Sequence, residues 1–146
     1  MPRWLILTAT HILVLSAGFA GGIYLLPILT APPSPTEVAL QNSASEAIYF
    51  GRFARDLEGS DLLHWDTGEV RIAPDRIAHL GRLSPGPDYK LYLAPRFVET
   101  KAAFLEIKSS SVRLGDVKTF NGFILQVPRG VDVDDYSAVV IWCEAF

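Results

Sequence analysis

The stretch AVVIWC at residues 138–143 is apolar at all six positions and lies close to the last residue of the chain. β-branched and aromatic side chains favour strands, and a run without polar residues is typical of a strand that is covered on both faces. The stretch therefore predicts a central strand. Because alternate side chains of a strand share a face, we expect Val139, Ile141 and Cys143 on the same side of it.

Other short runs with the alternation of a half-buried strand precede this one. They are YFGRF at 49–53, EVRI at 69–72, YKLYL at 89–93 and GFILQV at 122–127. Turn residues separate them, as in PGPD at 85–88 and PRG at 128–130, where proline presets φ and glycine accepts a positive φ. Only residues 95–106 have any helical periodicity. The fold class predicted is all-β, a small β-sandwich or barrel-like domain.

An apolar segment begins the chain, since residues 4–36 contain no Asp, Glu, Lys or Arg. Leu5 to Leu26 would form a helix of about 33 Å, which matches the roughly 30 Å hydrocarbon core of a bilayer. Pro27 follows at a position where such a helix can stop. The segment predicts one transmembrane helix through which the protein is attached to a membrane.

The charges that flank this span indicate its orientation. Arg3 precedes it, and the first charged residue after it is Glu37, so the positive-inside rule predicts a cytoplasmic N-terminus and a periplasmic or extracellular domain. A cleavable signal peptide is the competing interpretation, because Gly18 and Ala20 are small residues suited to a cleavage site. The apolar run continues to Leu29, which favours an uncleaved signal anchor.

These features divide the chain into a signal anchor or transmembrane helix at 1–30, a Pro/Ser-rich linker at 31–46 and a β domain at 47–146. Within the linker, residues 41–45 are polar and are expected to be weakly structured. Gly18 and Gly22 have the small-xxx-small spacing that lets two membrane helices approach closely, so a homodimer through α-helical contact is a further prediction.

Composition excludes several classes of function. The 13 Lys and Arg oppose 16 Asp and Glu without any basic cluster, which gives nucleic-acid binding little electrostatic support. Cys143 is the only cysteine, so no internal disulfide and no Cys-rich zinc site can form. No metal site, nucleophile elbow or phosphate-binding glycine loop is recognisable.

Cys143 and two histidines are the candidate site residues. A cysteine among apolar neighbours is usually an inert part of the core, but a position near the chain end also suits an accessible thiol that ligates, cross-links or exchanges electrons. His64, just before an expected turn at Thr67-Gly68, can bind a metal or haem iron, or hydrogen-bond the turn backbone. His79 lies in a strand-like run and is expected to face solvent.

The order of several motifs resembles the DM13 family of small, all-β, extracytoplasmic domains described as electron-transfer modules. The resemblance covers residues 51–146, and its most specific block is YSAVVIWCEAF at 136–146. The other motifs are GRF at 51–53, His64 followed by GEV at 68–70, GPDY at 86–89 with LYL at 91–93, and VP at 127–128. The resemblance implies that the family's cysteine falls on Cys143 and its early histidine on His64.

Two functions of different classes follow. The first is a membrane-anchored accessory module of a bacterial-type envelope, with Cys143 as a redox thiol, His64 as a weaker cofactor-binding or helper residue and an envelope redox partner. The alternative is a β-sandwich that docks an envelope protein or polymer without chemistry. A stand-alone enzyme is not expected, and no cofactor is identified by the sequence.

Overall fold

The computed structural model describes residues 2–145. Helix α1, Arg3–Thr30, has no buried residue, and it is the one helix of this part of the chain that is long and apolar enough to cross a membrane. It lies within the predicted bounds of 1–30 and continues for three residues past Pro27, the position at which a helix can stop. Pro27 removes only one backbone N–H, and the Thr30 hydroxyl donates to the Leu26 carbonyl at 2.8 Å in the last turn.

Among the described residues, seven strands form two antiparallel sheets. Sheet A has the order β1-β2-β3-β6, and sheet B has the order β5-β4-β7. The bounds are β1 Tyr49–Phe53, β2 Asp66–Ile72, β3 Arg76–Leu83, β4 Tyr89–Ala94, β5 Val112–Val117, β6 Phe123–Gln126 and β7 Ala138–Cys143. The sandwich-like arrangement confirms the β domain that the alternating runs predict.

The two sheets enclose the main hydrophobic core. Ile77 of β3 and Leu91 of β4 are completely buried at its centre, and Val117 and Phe123 pack with them. Strand β5 lies against β6 on one side of the sandwich. On the other side, β1 and β7 border a groove that is lined by Phe53 together with residues 139–141.

The position of β7 corrects the sequence-based prediction. The 138–143 strand is an edge strand that pairs only with β4, and all six of its residues are half-buried. The central strand of sheet B is β4, whose six residues are all buried. Strand β7 is apolar on both faces because its outer side chains, such as Val140 and Trp142, pack against a helix rather than because other strands flank it.

That helix, α3 at Lys101–Ile107, overlaps the 95–106 region of helical periodicity and ends one residue beyond it. The Thr100 hydroxyl caps the helix by accepting from the Ala103 N–H at 3.2 Å. Its Phe104 is buried on the outer face of sheet B. Short 3-10 turns occupy Lys108–Ser110 and Val133–Asp135.

A second expectation is wrong, because residues 41–45 are not weakly structured but belong to a helix. This helix is α2, Glu37–Ser45, which begins at an N-cap where the Thr36 hydroxyl accepts from the Ala39 N–H at 3.2 Å. The helix buries Leu40 and Ala44 and packs on β3 and β6. With three α-helices, the part of the chain between residues 2 and 145 is not all-β.

One end of the sandwich lies beside the end of α1, and we call it the anchor end. It comprises the loops at 54–65 and 84–88 and the strand ends at Val117 and Cys143. The last turn of α1 and residues 31–32 share a cleft with residues 86–89 and 116–118. The described chain therefore leaves the helix directly beside this end of the β domain.

Candidate functional site

Cys143 is the last residue of β7, where it is paired with Tyr89, the first residue of β4. It is half-buried and its thiol is free. Together with Val139 and Ile141 it packs against the main core, so the shared face predicted from alternation is confirmed. The thiol is consequently neither a fully enclosed core atom nor a fully exposed group.

Cys143 and His64 line the same cleft, which has a volume of about 390 Å³. Residues more than 75 positions apart in sequence are thus brought to one site at the anchor end. Tyr89 lies in the same cleft, with its ring centroid 6.5 Å from that of His64 in an edge-on arrangement. The remaining lining residues are Gly59, Asp61, Val98, Glu99, Thr100, Lys101, Phe104, Val140, Ile141 and Trp142.

Tyr89 is the buried polar centre of this cleft. Its side chain is nearly inaccessible, and its hydroxyl lies 3.0 Å from the Ser84 hydroxyl. Burial is the main cause that raises the pKa of Tyr89 to about 12; the hydrogen bond with Ser84 opposes this rise, and electrostatic interactions with Cys143 and Asp61 add to it. Tyr89 therefore stays a neutral hydrogen-bonding group beside the thiol.

The loop that carries His64 is held by Asp61. One carboxylate oxygen accepts the backbone N–H groups of Leu63 at 2.7 Å and of His64 at 2.6 Å. The other oxygen lies 3.1 Å from the His64 Nδ1. These hydrogen bonds, foremost the one from the His64 side chain, lower the pKa of Asp61. A proton on Nδ1 that is donated to Asp61 puts the basic lone pair of the imidazole on Nε2.

The expected turn after His64 is absent, because Thr67 and Gly68 are inside β2. His64 instead precedes the strand in a loop whose Trp65 is tied to Ser84. The Trp65 carbonyl accepts from the Ser84 N–H at 2.9 Å, and the Trp65 N–H donates to the Ser84 hydroxyl at 3.1 Å. These two hydrogen bonds hold the loop that carries His64 against the loop that leads into β4.

Glu144 holds the end of β7 beside the thiol. Its carboxylate accepts from the Tyr92 hydroxyl at 2.5 Å, the Lys108 ammonium at 2.6 Å and the Trp142 Nε1–H at 3.2 Å. Lys108, followed by the Tyr92 hydroxyl, lowers the pKa of Glu144. The Glu144 N–H also donates to the Asp88 carbonyl at 3.0 Å. The strand end is thereby fixed although it lies at a sheet edge.

His79 is buried, so the expectation that it faces solvent is wrong. Its ring stacks on Phe123 with centroids 4.9 Å apart, and its Nε2 lies 2.9 Å from Asp66 Oδ1, also inside the sandwich. The two atoms are close enough for an ion pair, but their geometry does not meet the angular requirement of a hydrogen bond. His79 is two residues after the core residue Ile77 in the same strand, so the two side chains lie on the same face of the sheet. This spacing is the sequence feature that indicates a buried His79.

Sequence reasoning did not single out Tyr89, Asp61 or Glu144 as site residues. Tyr89 and Glu144 do lie in the motifs that carry the DM13 resemblance, and Asp61 precedes His64 by the three residues typical of a side-chain-capped turn. Within residues 2–145, no group of three or more His, Cys, Asp or Glu side chains is arranged to hold a metal ion. The chemistry available in the cleft is that of one thiol beside an imidazole and a phenol.

A two-sheet β domain with a half-buried, free cysteine at a strand end defines a small thiol-bearing β module. The family model described as electron transfer DM13 matches residues 52–146, and the chain belongs to the DM13 family. No curated protein and no solved structure gives a significant match.

Proposed function

We propose that this protein is a membrane-anchored, extracytoplasmic electron-transfer module in which Cys143 is the redox-active group. The observation that carries the proposal is the common cleft of Cys143 and His64 at one end of a domain whose family is named for electron transfer. An apolar helix at Arg3–Thr30 supports the anchor, and Arg3 on its N-terminal side supports an outward-facing domain.

The chemistry proposed is exchange with a disulfide of a partner. The Cys143 thiol transfers its proton to the His64 Nε2, and the thiolate attacks one sulfur of the partner's disulfide. A mixed disulfide forms, and the partner's second sulfur leaves as a thiolate. Cys143 is the only cysteine of the chain, so the second sulfur in each step belongs to another molecule.

The residues around the thiol suit this step. Asp61 orients the imidazole and stabilises the imidazolium that forms, in the manner of a base held by a carboxylate. Tyr89 stays protonated, so its phenol places no second negative charge near a thiolate at Cys143.

The test uses the full-length chain in detergent and glutathione disulfide as the probe. We expect the folded protein to form a mixed disulfide that mass spectrometry detects, and Cys143→Ser to form none. His64→Gln preserves size and hydrogen bonding but removes the base, so the rate at pH 7 should fall about tenfold. The rate difference should disappear above about pH 9, where cysteine thiols ionise without a base.

Two outcomes contradict the redox proposal. One is a thiol that reacts only after denaturation, and the other is a His64→Gln protein whose rate equals that of the wild type at every pH. The docking module without chemistry then becomes the better assignment. A reporter fused to the C-terminus tests the topology separately, because its activity in the cytoplasm would contradict an outward-facing domain.

A further inference from the structure

We propose that the anchor end of the sandwich rests on the lipid surface from which α1 emerges, with Leu62 and Leu63 inserted between the lipids. This inference rests on the anchor in the proposed function. It adds a second attachment of the domain to the membrane, and it determines which way the Cys143 cleft faces.

Two adjacent large apolar side chains are exposed at the tip of the 54–65 loop. Leu62 is 89% exposed and Leu63 is 59% exposed. The loop is held in this form, since the Asp61 carboxylate accepts the N–H groups of Leu63 and His64. The outward direction of the leucines is therefore a defined feature of a constrained tip.

The tip lies at the same end of the domain as the exit of α1. Its C-terminal side is tied to the 84–88 loop through the two hydrogen bonds between Trp65 and Ser84. The 84–88 loop in turn shares a cleft with the last turn of α1 and residues 31–32. A membrane that contains α1 consequently lies next to the strand ends from which the leucines project.

Attachment through α1 makes a weak contact sufficient. The domain is already at the bilayer, so docking costs no further loss of translational freedom. Transfer of two exposed leucines from water to lipid favours the docked orientation by at least roughly tenfold. Single exposed apolar residues are common, but an exposed pair at this position has a lipid surface within reach.

The charges near the tip distinguish lipid insertion from electrostatic attraction. Asp56, Glu58 and Asp61 are all exposed in the same loop, and Arg55 stacks on the Trp65 ring with its guanidinium carbon 4.4 Å from the centroid. An acidic loop gains nothing from anionic lipids. Docking should therefore occur on uncharged phosphatidylcholine and should not weaken when salt is added.

Docking has a consequence for the redox site. His64 follows the two leucines directly, and Cys143 lines the cleft with it. A tip held in the lipid headgroups keeps this cleft beside the bilayer surface. The partner of Cys143 would then approach along the membrane rather than from the open solvent.

The experiment places a nitrobenzoxadiazole probe at single positions of the full-length chain in phosphatidylcholine vesicles. The background is Cys143→Ser, and the probe sites are Leu62→Cys, Leu15→Cys in α1 and Ile48→Cys. Ile48 is the matched control, because it is 49% exposed and precedes β1 at the opposite end of the sandwich. Leu15 is 74% exposed on the apolar helix.

Lipids with a nitroxide on the acyl chain quench a probe that contacts them. We expect quenching at position 62 to exceed that at position 48 severalfold and to approach that at position 15. Equal quenching at 62 and 48, with strong quenching at 15, would overturn lipid docking while the anchor stands. A blue-shifted but unquenched probe at 62 would assign the tip to a protein contact instead. Absence of quenching at 15 would refute both the anchor and the docking.

Discussion

Glu144→Gln tests whether the carboxylate next to Cys143 holds the end of β7. Three donors converge on this carboxylate, and Gln removes its charge with little change of shape. Hydrogen bonds to a charged group contribute about 1.5–3 kcal/mol and neutral ones about 1 kcal/mol. The Glu144 side chain is 28% exposed, so water compensates part of the loss. We expect the free energy of unfolding to fall by about 1.5 kcal/mol and the Tm by roughly 5–10 °C.

Urea denaturation of the full-length protein in detergent, followed by tryptophan fluorescence, measures this change. Glu106→Gln is the matched control, since Glu106 is 71% exposed and has a single surface ion pair with Arg96. Its effect should stay within about 0.5 kcal/mol. The same samples report on the site, because a released strand end should increase the rate at which Cys143 reacts with an aromatic disulfide reagent severalfold.

The pH dependence gives an independent check. The Lys108 ammonium and the Tyr92 hydroxyl lower the pKa of Glu144 in the folded protein. A carboxyl group whose pKa is lowered by folding contributes stability above its unfolded value of about 4.3, and this contribution is lost as the pH falls through the folded value. The difference between wild type and Glu144→Gln should be complete at pH 7 and shrink below about pH 4. An unchanged urea midpoint together with an unchanged thiol reaction rate would refute the proposed role of Glu144.

Two further substitutions test the sandwich itself. Leu91→Ala leaves a cavity at a completely buried position of the central strand β4, and we expect the free energy of unfolding measured with urea to fall by about 2–5 kcal/mol. The control Leu105→Ala, at a half-exposed position of α3, should lower it by less than about 0.5 kcal/mol. Equal effects would contradict the assignment of the core. Gly81→Ala should prevent stable folding, because its Cβ would lie 2.0 Å from the Thr67 carbonyl oxygen, which belongs to the paired strand. A soluble Gly81→Ala protein with an unchanged melting temperature would show that β2 and β3 are not this close.

The positions of most strands could be predicted from local pattern, since the runs at 49–53 and 89–93 coincide with β1 and β4 almost residue for residue. The half-buried character expected of the 89–93 run is wrong, because all six residues of β4 are buried. Strand β5, Val112–Val117, has polar residues in both alternation classes and follows the polar run at 109–111, so no period-two pattern indicates it. It forms because β4 and the core offer it partners. Tertiary context, not local sequence, decides such a strand.

The order of the strands in the sheets could not be obtained in the same way. An apolar run indicates that both faces are covered, but it does not distinguish cover by neighbouring strands from cover by a helix. At 138–143 the second cover is Phe104 of α3. Similarly, residues 37–45 contain few apolar residues, and Leu40 with Ala44 suffices to bury one face of α2 against the sandwich.

For the site, the sequence supplied Cys143 and His64 through the resemblance, but their meeting depends on register. Cys143 faces Tyr89 only because β7 pairs with β4 from Ala138 opposite Ala94 onward. A shift of one residue would turn the thiol away from the core face towards Trp142's present position. The hydrogen bond from the Tyr92 hydroxyl to the Glu144 carboxylate opposes such a shift, because it joins the end of β7 to β4. The surroundings of the Cys143 thiol are therefore set by strand pairing. Composition and residue spacing do not determine strand pairing, so they cannot predict these surroundings.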